Sequence, residues 1–326
     1  MTDRIPPEIW ETAKQRSLAR AGEDYEAADA LRAEIEAAGW RVVDSGTSFR
    51  LEPVPADVEV GGEIRYGSSE AVPSRLEEAT TGLATVVLVA SPDPVEMRRS
   101  LDAVCASAPD GVDVVVVADG LPDRSLEGLR AADLAARAGP TVELVRTSTV
   151  LGQGAALNAG VRRSRGSVIV AMDPCIVATG NVVTPLTDAL ADASVAIAGP
   201  FGLVSGDLRR FDERAAAQGG DQTDAAAIQG YLMAFRRSDL IARGPFDEGF
   251  RFYRNLDIWW SLVLRDEGDG SLPRRAIVVP SLPLTRGEPH AWASTPPAER
   301  DRLSKRNFYR ILDRFRARTD LAIPLD

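Results

Sequence analysis

The chain has 326 residues, 44% of them hydrophobic and 26% charged, which is the balance of a folded globular protein with one or two domains. Its 48 acidic and 38 basic side chains give a net charge of -10, so nucleic acid is not an expected partner. Two cysteines and one histidine exclude a disulfide framework and any mechanism that needs two imidazoles. The cysteine usage fits a cytoplasmic protein, and no apolar run approaches the roughly 20 residues that span a bilayer.

The first part of the chain predicts a small helical module. Residues 8–38 have apolar side chains at helical spacing, which indicates two helices that end at Gly39. A short β pair over 40–43 and 48–51 is predicted to follow them.

A stretch of different composition separates this module from the rest of the chain. Residues 53–81 are rich in Pro, Gly, Ser and Glu without periodicity, so we interpret them as a linker or strap. The expected division is a module over 1–52, this linker, and a second domain over 82–326. The predicted domain boundary is near residue 80.

Beyond the linker the sequence alternates short apolar runs with helix-length amphipathic segments. The runs are ATVVLVA (84–90), VDVVVVA (112–118), TVELV (141–145), SVIVAM (167–172) and SVAIAG (194–199). Unbroken Val and Ile runs are typical of strands buried on both faces, so the pattern predicts an α/β fold with a mostly parallel central sheet. Ligands of such sheets bind at the carboxyl ends of the strands, so the residues after each run are candidate ligand contacts.

Acidic and hydroxyl side chains follow three of these runs. Ser91 and Asp93 follow the first run, Asp119 the second and Asp173 the fourth. A carboxylate at this edge can accept a hydrogen bond from a base or a ribose hydroxyl, or help to hold a divalent metal on a diphosphate. Each aspartate taken alone could equally cap the next helix or form an Asx turn.

A glycine-rich segment, LGQGAALNAG (151–160), opens a helix after the third run. Gly152 and Gly154 leave room for a ligand to approach the backbone, and a helix start favours phosphate. Such a segment is also a common packing device, and it lacks the GK[ST] and GxGxxG patterns of the familiar phosphate-binding fingerprints.

The order of these motifs resembles family 2 glycosyltransferases, which have the GT-A fold. The resemblance covers about residues 82–318 and is carried by the strand and loop at 84–94, VVVVADGLPD (114–123), LGQGAALNAGVRRSRGSVIVAMD (151–173), IQGYLMAFRRSDL (228–240), GPFDEGFRFYRNLDIWWSLVLRDEG (244–268), and PHAWAS with the closing SKRNFYR helix (289–310). It implies inverting transfer of a sugar from a nucleoside diphosphate donor to an acceptor hydroxyl. The sequence names neither the sugar nor the acceptor.

The resemblance also implies roles on the donor side. The residues expected at the nucleotide are Ser91, Asp93, Asp119, Gly152, Gly154 and Asn158. The first two would lie beside the base, the third would accept a hydrogen bond from the base ring, and the last three would shape the pocket. Asp173 would occupy the first position of the family's Asp-X-Asp element, next to ribose and diphosphate.

The metal site of the family is only partly present. The second aspartate of the Asp-X-Asp element, usually the direct metal ligand, is Cys175 here. A thiol is a poor partner for Mg²⁺ or Mn²⁺, which prefer oxygen ligands, and this weakens the expectation of such a cofactor. The remaining candidate ligands are Asp173 and His290, the latter matching the C-terminal histidine that closes the metal-diphosphate site in many GT-A enzymes. His290 could alternatively be an ordinary surface-loop residue.

The acceptor side is expected in FRFYRNLDIWWSLVLRDEG, where the family has a Glu-Asp pair whose Asp takes the proton of the acceptor. One register puts Asp257 at the base position and Leu256 at the Glu. The other, anchored on Tyr253, puts Asn255 there, and an amide cannot accept a proton. We favour Asp257, which could alternatively serve only as a helix cap.

Residues 24–51 resemble the small C-terminal module of cysteinyl-tRNA synthetases, through an Asp-x-x-x-Ala-Asp-x-Leu-Arg helix, a Gly-Trp turn and a final hairpin. The catalytic motifs of the synthetase are absent. Residues 1–60 hold 13 acidic and 7 basic side chains, which argues against binding an RNA backbone and favours docking or formation of a homo-oligomer. The competing hypothesis for the whole chain is therefore a non-catalytic relative, a nucleotide-sugar sensor or scaffold that acts through this module.

Overall fold

The computed structural model describes residues 5–22, 24–45, 48–129, 133–134, 139–214, 221–268 and 270–324. The chain divides into two compact units, Met1–Val58 and Glu59–Asp326. This division lies earlier than the boundary predicted near residue 80. The difference arises because residues 63–66, inside the predicted linker, form a strand that pairs within the sheet of the second unit.

The first unit combines two helices with a β hairpin. The elements are α1 (Pro7–Ala21), α2 (Tyr25–Ala37), β1 (Trp40–Ser45) and β2 (Ser48–Pro53). Asp24 caps α2, since its carboxylate accepts a hydrogen bond from the backbone N–H of Ala27 at 3.1 Å. The apolar core of the unit contains Ile9, Ala13, Ile35, Trp40 and Leu51. These elements agree with the two helices and the β pair predicted from the sequence.

The second unit is built on a ten-stranded sheet with helices packed against it. Its strands are β3 (Val58–Val60), β4 (Glu63–Tyr66), β5 (Gly82–Val89), β6 (Val112–Ala118), β7 (Val142–Thr147), β8 (Gly166–Met172), β9 (Ile176–Ala178), β10 (Val195–Gly199), β11 (Gly202–Val204), β12 (Asp212–Arg214), β13 (Thr223–Ala225), β14 (Ala227–Ile228), β15 (Leu232–Arg236), β16 (Arg275–Val278) and β17 (Leu284–Arg286). Its helices are α3 (Pro94–Ser107), α4 (Gln153–Val161), α5 (Val183–Ala189), α6 (Arg237–Arg243), α7 (Leu256–Arg265), α8 (His290–Ser294) and α9 (Pro297–Phe315).

The order of strands in the large sheet is β13-β16-β10-β15-β8-β5-β6-β7-β4-β3. Strands β8, β5, β6, β7 and β4 run parallel to one another in this order, while β15 runs antiparallel to both β8 and β10. The predicted mostly parallel central sheet is confirmed. Its middle strands are buried along nearly their whole length, as the unbroken Val and Ile runs indicated.

Side chains of the second unit hold the polar stretch that precedes β5. Arg162, which follows α4, donates to the carbonyl oxygens of Val72 at 2.8 Å and Glu70 at 3.1 Å. Arg237 in α6 likewise donates to the carbonyl oxygens of Arg75 and Glu78. These contacts fasten residues 70–78 across the second unit in the manner of a strap.

The adjacent tryptophans of α7 belong to the core. Trp260 is fully buried, with its ring centroid 4.3 Å from that of Phe246 and 5.4 Å from that of Phe235. Trp259 is also buried and contacts Phe250. This packing fixes the start of α7 beside the ends of the central strands. Among the described residues, no helix is long and apolar enough to cross a membrane.

Candidate functional site

A cleft opens at the carboxyl ends of β5 and β8. Its lining includes Val89, Gln153, Leu157, Met172, Asp173, Gly230, Tyr253, Leu256 and Asp257. Two predicted site residues, Asp173 and Asp257, therefore line one cavity although 84 positions separate them in the sequence. The topology brings them together because one follows β8 and the other begins α7.

Backbone N–H groups orient the carboxylate of Asp257. One oxygen accepts from Gly230 at 2.8 Å and the other from Ile258 at 2.9 Å. Withdrawal from water raises the pKa of Asp257, and these two hydrogen bonds together with the charge of Arg254 act in the opposite direction. The result is a fixed carboxylate that is more basic than an exposed one.

Gly230 approaches Asp257 so closely that a side chain at this position would have to displace its neighbour slightly. A Cβ placed on Gly230 would lie 3.2 Å from the Cβ of Asp257. Gly230 belongs to the IQGYLMAF motif, but no sequence pattern connects it with the carboxylate. It is a site residue that sequence reasoning missed, and so is Tyr253, whose pKa burial raises.

The two registers considered for the base place different residues at the cleft. The side chain of Asn255 donates to the carbonyl oxygen of Ser304 in α9 at 2.9 Å, and its φ of 70° lies in the left-handed region. Asn255 is therefore directed to α9, whereas Asp257 lines the cavity with Leu256 beside it. Asp257 also contributes to the helix start through Ile258, so the capping and cavity interpretations are both compatible with its position.

Asp173 is held against the residues that follow it. Its backbone N–H donates to the carbonyl oxygen of Tyr231 at 2.9 Å, and its carboxylate accepts from the N–H of Cys175 at 2.8 Å. Burial raises the pKa of Asp173, while hydrogen bonds from the thiol and amide of Cys175 and the charge of His290 oppose that rise. Asp173 therefore combines cavity exposure with an Asx turn, which were the two alternatives considered from the sequence.

The donor set does not fit a hard divalent cation. Cys175 is 1% exposed and lies in an apolar cluster, and burial followed by the charge of Asp173 raises the pKa of its thiol strongly. A neutral, buried thiol that hydrogen-bonds to Asp173 is a poor ligand for Mg²⁺ or Mn²⁺. Within the part of the chain that the structure describes, no three His, Cys, Asp or Glu side chains converge as metal ligands.

Asp119 braces the loop between β7 and α4. Its carboxylate accepts hydrogen bonds from the N–H groups of Leu151 at 2.8 Å and Gly152 at 2.9 Å, and from the hydroxyl of Thr147 at 3.0 Å. Burial raises its pKa in spite of these bonds. Asp119 is absent from the cleft lining, so its observed partners are groups of the protein.

Asp93 and Ser91 are likewise engaged locally. Asp93 is the N-cap of α3, with its carboxylate accepting from the N–H of Val95 at 2.9 Å. Ser91 is buried, donates its hydroxyl to Glu96 and accepts from the N–H of Asp93 at 3.2 Å. This is the capping alternative that the sequence left open.

The glycines at the start of α4 admit a protein segment. The N–H groups of Gln153 and Gly154 donate to the carbonyl oxygens of Arg251 and Phe250, each at 3.0 Å. A Cβ on Gly154 would lie 2.6 Å from the carbonyl oxygen of Asp247, and Gly152 has a φ of 102°. Two N–H groups of the first turn of α4 thus find their acceptors in Phe250 and Arg251.

Asn158 lies behind the cleft. It is 3% exposed, its amide donates to the carbonyl oxygen of Phe246 at 2.9 Å and to Glu248 at 3.0 Å, and its oxygen accepts from the N–H of Phe246 at 2.9 Å. With every group of its side chain engaged, Asn158 shapes the cleft by fixing the segment that covers α4.

The mostly parallel sheet with a cleft at its strand ends is the architecture of glycosyltransferases with a GT-A fold. The family model for "Glycosyl transferase family 2" matches residues 85–248. The chain belongs to this family.

Two curated proteins and one solved structure are similar to parts of the chain. An undecaprenyl-phosphate 4-deoxy-4-formamido-L-arabinose transferase of Pseudomonas paraeruginosa is 40% identical over 78 residues, 24% of this chain and 22% of the relative. A cysteine–tRNA ligase of Opitutus terrae is 43% identical over 49 residues, 15% of this chain and 11% of the relative. The chain thus spans less than a quarter of the length of these curated relatives.

The crystal structure of GalNAc-T7 with UDP, GalNAc and Mn²⁺ superposes with a TM-score of 0.58. The superposition covers 73% of this chain and 48% of the other, at 13% sequence identity. At that identity the likeness establishes the shared fold alone, and it confirms the predicted GT-A fold.

Proposed function

We propose that the chain is an inverting glycosyltransferase that moves a sugar from a nucleoside diphosphate donor to an acceptor hydroxyl. The observation that carries the proposal is the pair Asp173 and Asp257, which line one cleft at the carboxyl ends of β5 and β8. Membership of family 2 supports the reaction class.

In the proposed reaction Asp257 is the general base. The acceptor oxygen attacks the anomeric carbon while its proton passes to the Asp257 carboxylate. The bond between that carbon and the donor phosphate oxygen breaks, and the nucleoside diphosphate leaves with the electron pair. Attack opposite the leaving group in a single step inverts the anomeric configuration. The raised pKa of Asp257 suits this role, since a more basic carboxylate takes a proton more readily.

Asp173 is proposed to bind the ribose and diphosphate side of the donor. Its carboxylate oxygens retain acceptor capacity beyond the hydrogen bonds from Cys175. Ser91, Asp93 and Asp119 are expected at the base end of the donor, and we propose that they act there by positioning the surrounding loops. Their present hydrogen bonds support a role in holding the loops around the base.

A metal at Asp173 and His290 also stays a prediction. GalNAc-T7 was crystallised with Mn²⁺ and UDP, and this supports a divalent cation in the fold. The buried thiol of Cys175 removes the oxygen donor that such an ion prefers, so no step of the proposed reaction depends on it.

Calorimetric titration with UDP, GDP and dTDP tests the donor proposal. We expect saturable binding of at least one of them, and an Asp173→Asn chain should bind it about tenfold more weakly, because a hydrogen bond to a charged group is lost. The matched control is Asp110→Asn, at an exposed carboxylate on the loop before β6. No heat with any of the three nucleotides would overturn the proposal.

A further inference from the structure

We propose that Arg254 and Arg286 bind the donor diphosphate and supply the positive charge that a divalent cation supplies elsewhere in this fold. The inference rests on the proposed function and deepens it, since it assigns the chemistry of the diphosphate subsite. It comes from three features near the cleft: the hydrogen bond between Asp173 and Cys175, two guanidinium groups stacked on aromatic rings, and the absence of ion pairs between these guanidinium groups and the described residues.

Arg286 lies on the segment that covers the Asp173 turn. It ends β17, which pairs with β9 so that Arg286 is opposite Ile176, and the next N–H, of Gly287, donates to the carbonyl oxygen of Cys175 at 2.8 Å. The Arg286 guanidinium lies 4.7 Å from the ring centroid of Tyr231, whose carbonyl oxygen accepts from Asp173. Arg286 is therefore held next to the Asp173–Cys175 turn, by Gly287 on the Cys175 side and by the ring of Tyr231 on the Asp173 side.

A second ring completes the shelf under Arg286. Its guanidinium lies 4.5 Å from the ring centroid of Phe201, and the rings of Phe201 and Tyr231 meet edge to face at 5.7 Å. Stacking on both rings limits the conformations of the side chain. Its N–H groups form no hydrogen bond with the described residues, so they can donate to a ligand.

Arg254 lies next to residues that line the cleft. It follows Tyr253, which lines the cavity, and its carbonyl oxygen is held by the side chain of Asn307 at 2.7 Å. The Arg254 guanidinium lies 4.9 Å from the ring centroid of Trp292, in the same helix as His290. Its charge counts among those that oppose the raised pKa values of Asp257 and Tyr253, so it acts on the cavity itself.

Neither guanidinium forms an ion pair with a carboxylate in the part of the chain that the structure describes. Arginines elsewhere on this acidic chain commonly form ion pairs, as Arg310 does with Asp247 and Arg274 with Asp239. Arg254 and Arg286 form none with the described residues and rest on aromatic rings instead. Planar guanidinium groups bind phosphate oxygens in pairs of parallel hydrogen bonds, so two of them close to the cleft-lining residues suit a diphosphate.

Calorimetry with the nucleoside diphosphate that binds best tests this inference. In wild-type protein we expect the affinity in EDTA and in Mn²⁺ to agree within about threefold. Arg254→Gln and Arg286→Gln should each weaken binding about tenfold or more, since each removes hydrogen bonds to a charged group. The loss should be smaller for the monophosphate of the same base.

Matched variants separate charge from folding. Arg99→Gln, at an exposed position of α3, should bind like wild type. Arg286→Lys keeps the charge without the planar stack and should give an intermediate loss, with the thermal midpoint checked for each chain. Binding that requires Mn²⁺ and is indifferent to both Gln variants would overturn the inference and leave the proposed donor intact. Absence of nucleotide binding in EDTA and in Mn²⁺ alike would overturn the proposed donor as well.

Discussion

Two pairs of aspartates lie at the same edge of the sheet and differ in what their carboxylates contact. Asp93 and Asp119 follow β5 and β6, and their carboxylates bind N–H and O–H groups of the next helix or loop. Asp173 and Asp257 also accept backbone N–H groups, but their carboxylates face the cleft. We call these the structural pair and the cleft pair.

A strand end or a helix start brings each carboxylate to this edge of the sheet. The hydrogen-bond donors near the carboxylate then decide its role. The loop of 147–152 presents three donors to Asp119, and the first turn of α3 presents one to Asp93. At the cleft, Gly230 and Ile258 each present one backbone N–H to Asp257, which still lines the cavity. Variants of each pair should therefore fail in different assays.

The largest expected effect is on turnover in Asp257→Asn. We expect kcat to fall by about 10² to 10⁴, since an amide cannot accept the proton, while nucleotide affinity changes little. The measurement is transfer or hydrolysis of a labelled nucleotide sugar. Because the carboxylate must be ionised, wild-type kcat/KM should fall as pH falls through the pKa of Asp257. Burial raises that pKa, so the fall should come above the ordinary aspartate value of about 4.

Asp110→Asn, at an exposed carboxylate, should keep the wild-type rate and profile. Turnover that is equal in wild type and Asp257→Asn would assign the base elsewhere. Absence of turnover in wild type with all donors would favour the non-catalytic alternative.

Asp119→Asn should lower the free energy of unfolding by about 1–3 kcal/mol, because one of the hydrogen-bond donors of residues 147–152 then meets an amide N–H group. Urea unfolding measures this loss. An unchanged unfolding midpoint together with a large loss of nucleotide affinity would show that Asp119 contacts the nucleotide and does not belong to the structural pair.

Gly230→Ala should reduce kcat about tenfold, since the new methyl group would push the Asp257 carboxylate away from its fixed position, and small misplacements cost up to about a hundredfold. Gly206→Ala is the control, because its nearest neighbour would be 3.9 Å away and neither glycine has a positive φ. Equal rates in the two variants would show that the close approach of Gly230 does not position the base.

The smallest effect is expected for Asp93→Ala, which removes the cap of α3. Stability should fall by about 1 kcal/mol, and nucleotide affinity should stay within about twofold of wild type. Thermal unfolding and calorimetry report the two quantities. A tenfold loss of affinity at unchanged stability would contradict the structural assignment of Asp93.

Much of the fold was predictable because the central strands are continuous apolar runs. Strands β5, β6, β7, β8 and β10 each coincide with a run that the sequence displays. The short strands β11 to β14 have two or three residues each, too few for any periodicity. The antiparallel insertion of β15 between β8 and β10 depends on pairing across the sheet, which no local pattern reports.

The site was predictable where chemistry is carried by a side chain. The paired aspartates of the cleft and the departure at Cys175 follow from residue type and motif order. The backbone N–H of Gly230 and the aromatic shelves under Arg254 and Arg286 do not, because they depend on segments far apart in sequence. At the glycine-rich start of α4 the sequence pattern suggests a ligand, and the structure shows that two of its N–H groups donate to the backbone of Phe250 and Arg251.

The central claim is that the cleft between Asp173 and Asp257 binds the donor. A crystal structure of the chain with a nucleoside diphosphate tests it most directly. We expect to find the diphosphate in this cleft, with a phosphate oxygen about 2.7–3.2 Å from a guanidinium nitrogen of Arg254 or Arg286. A nucleotide bound outside the cleft, touching neither aspartate, would contradict it.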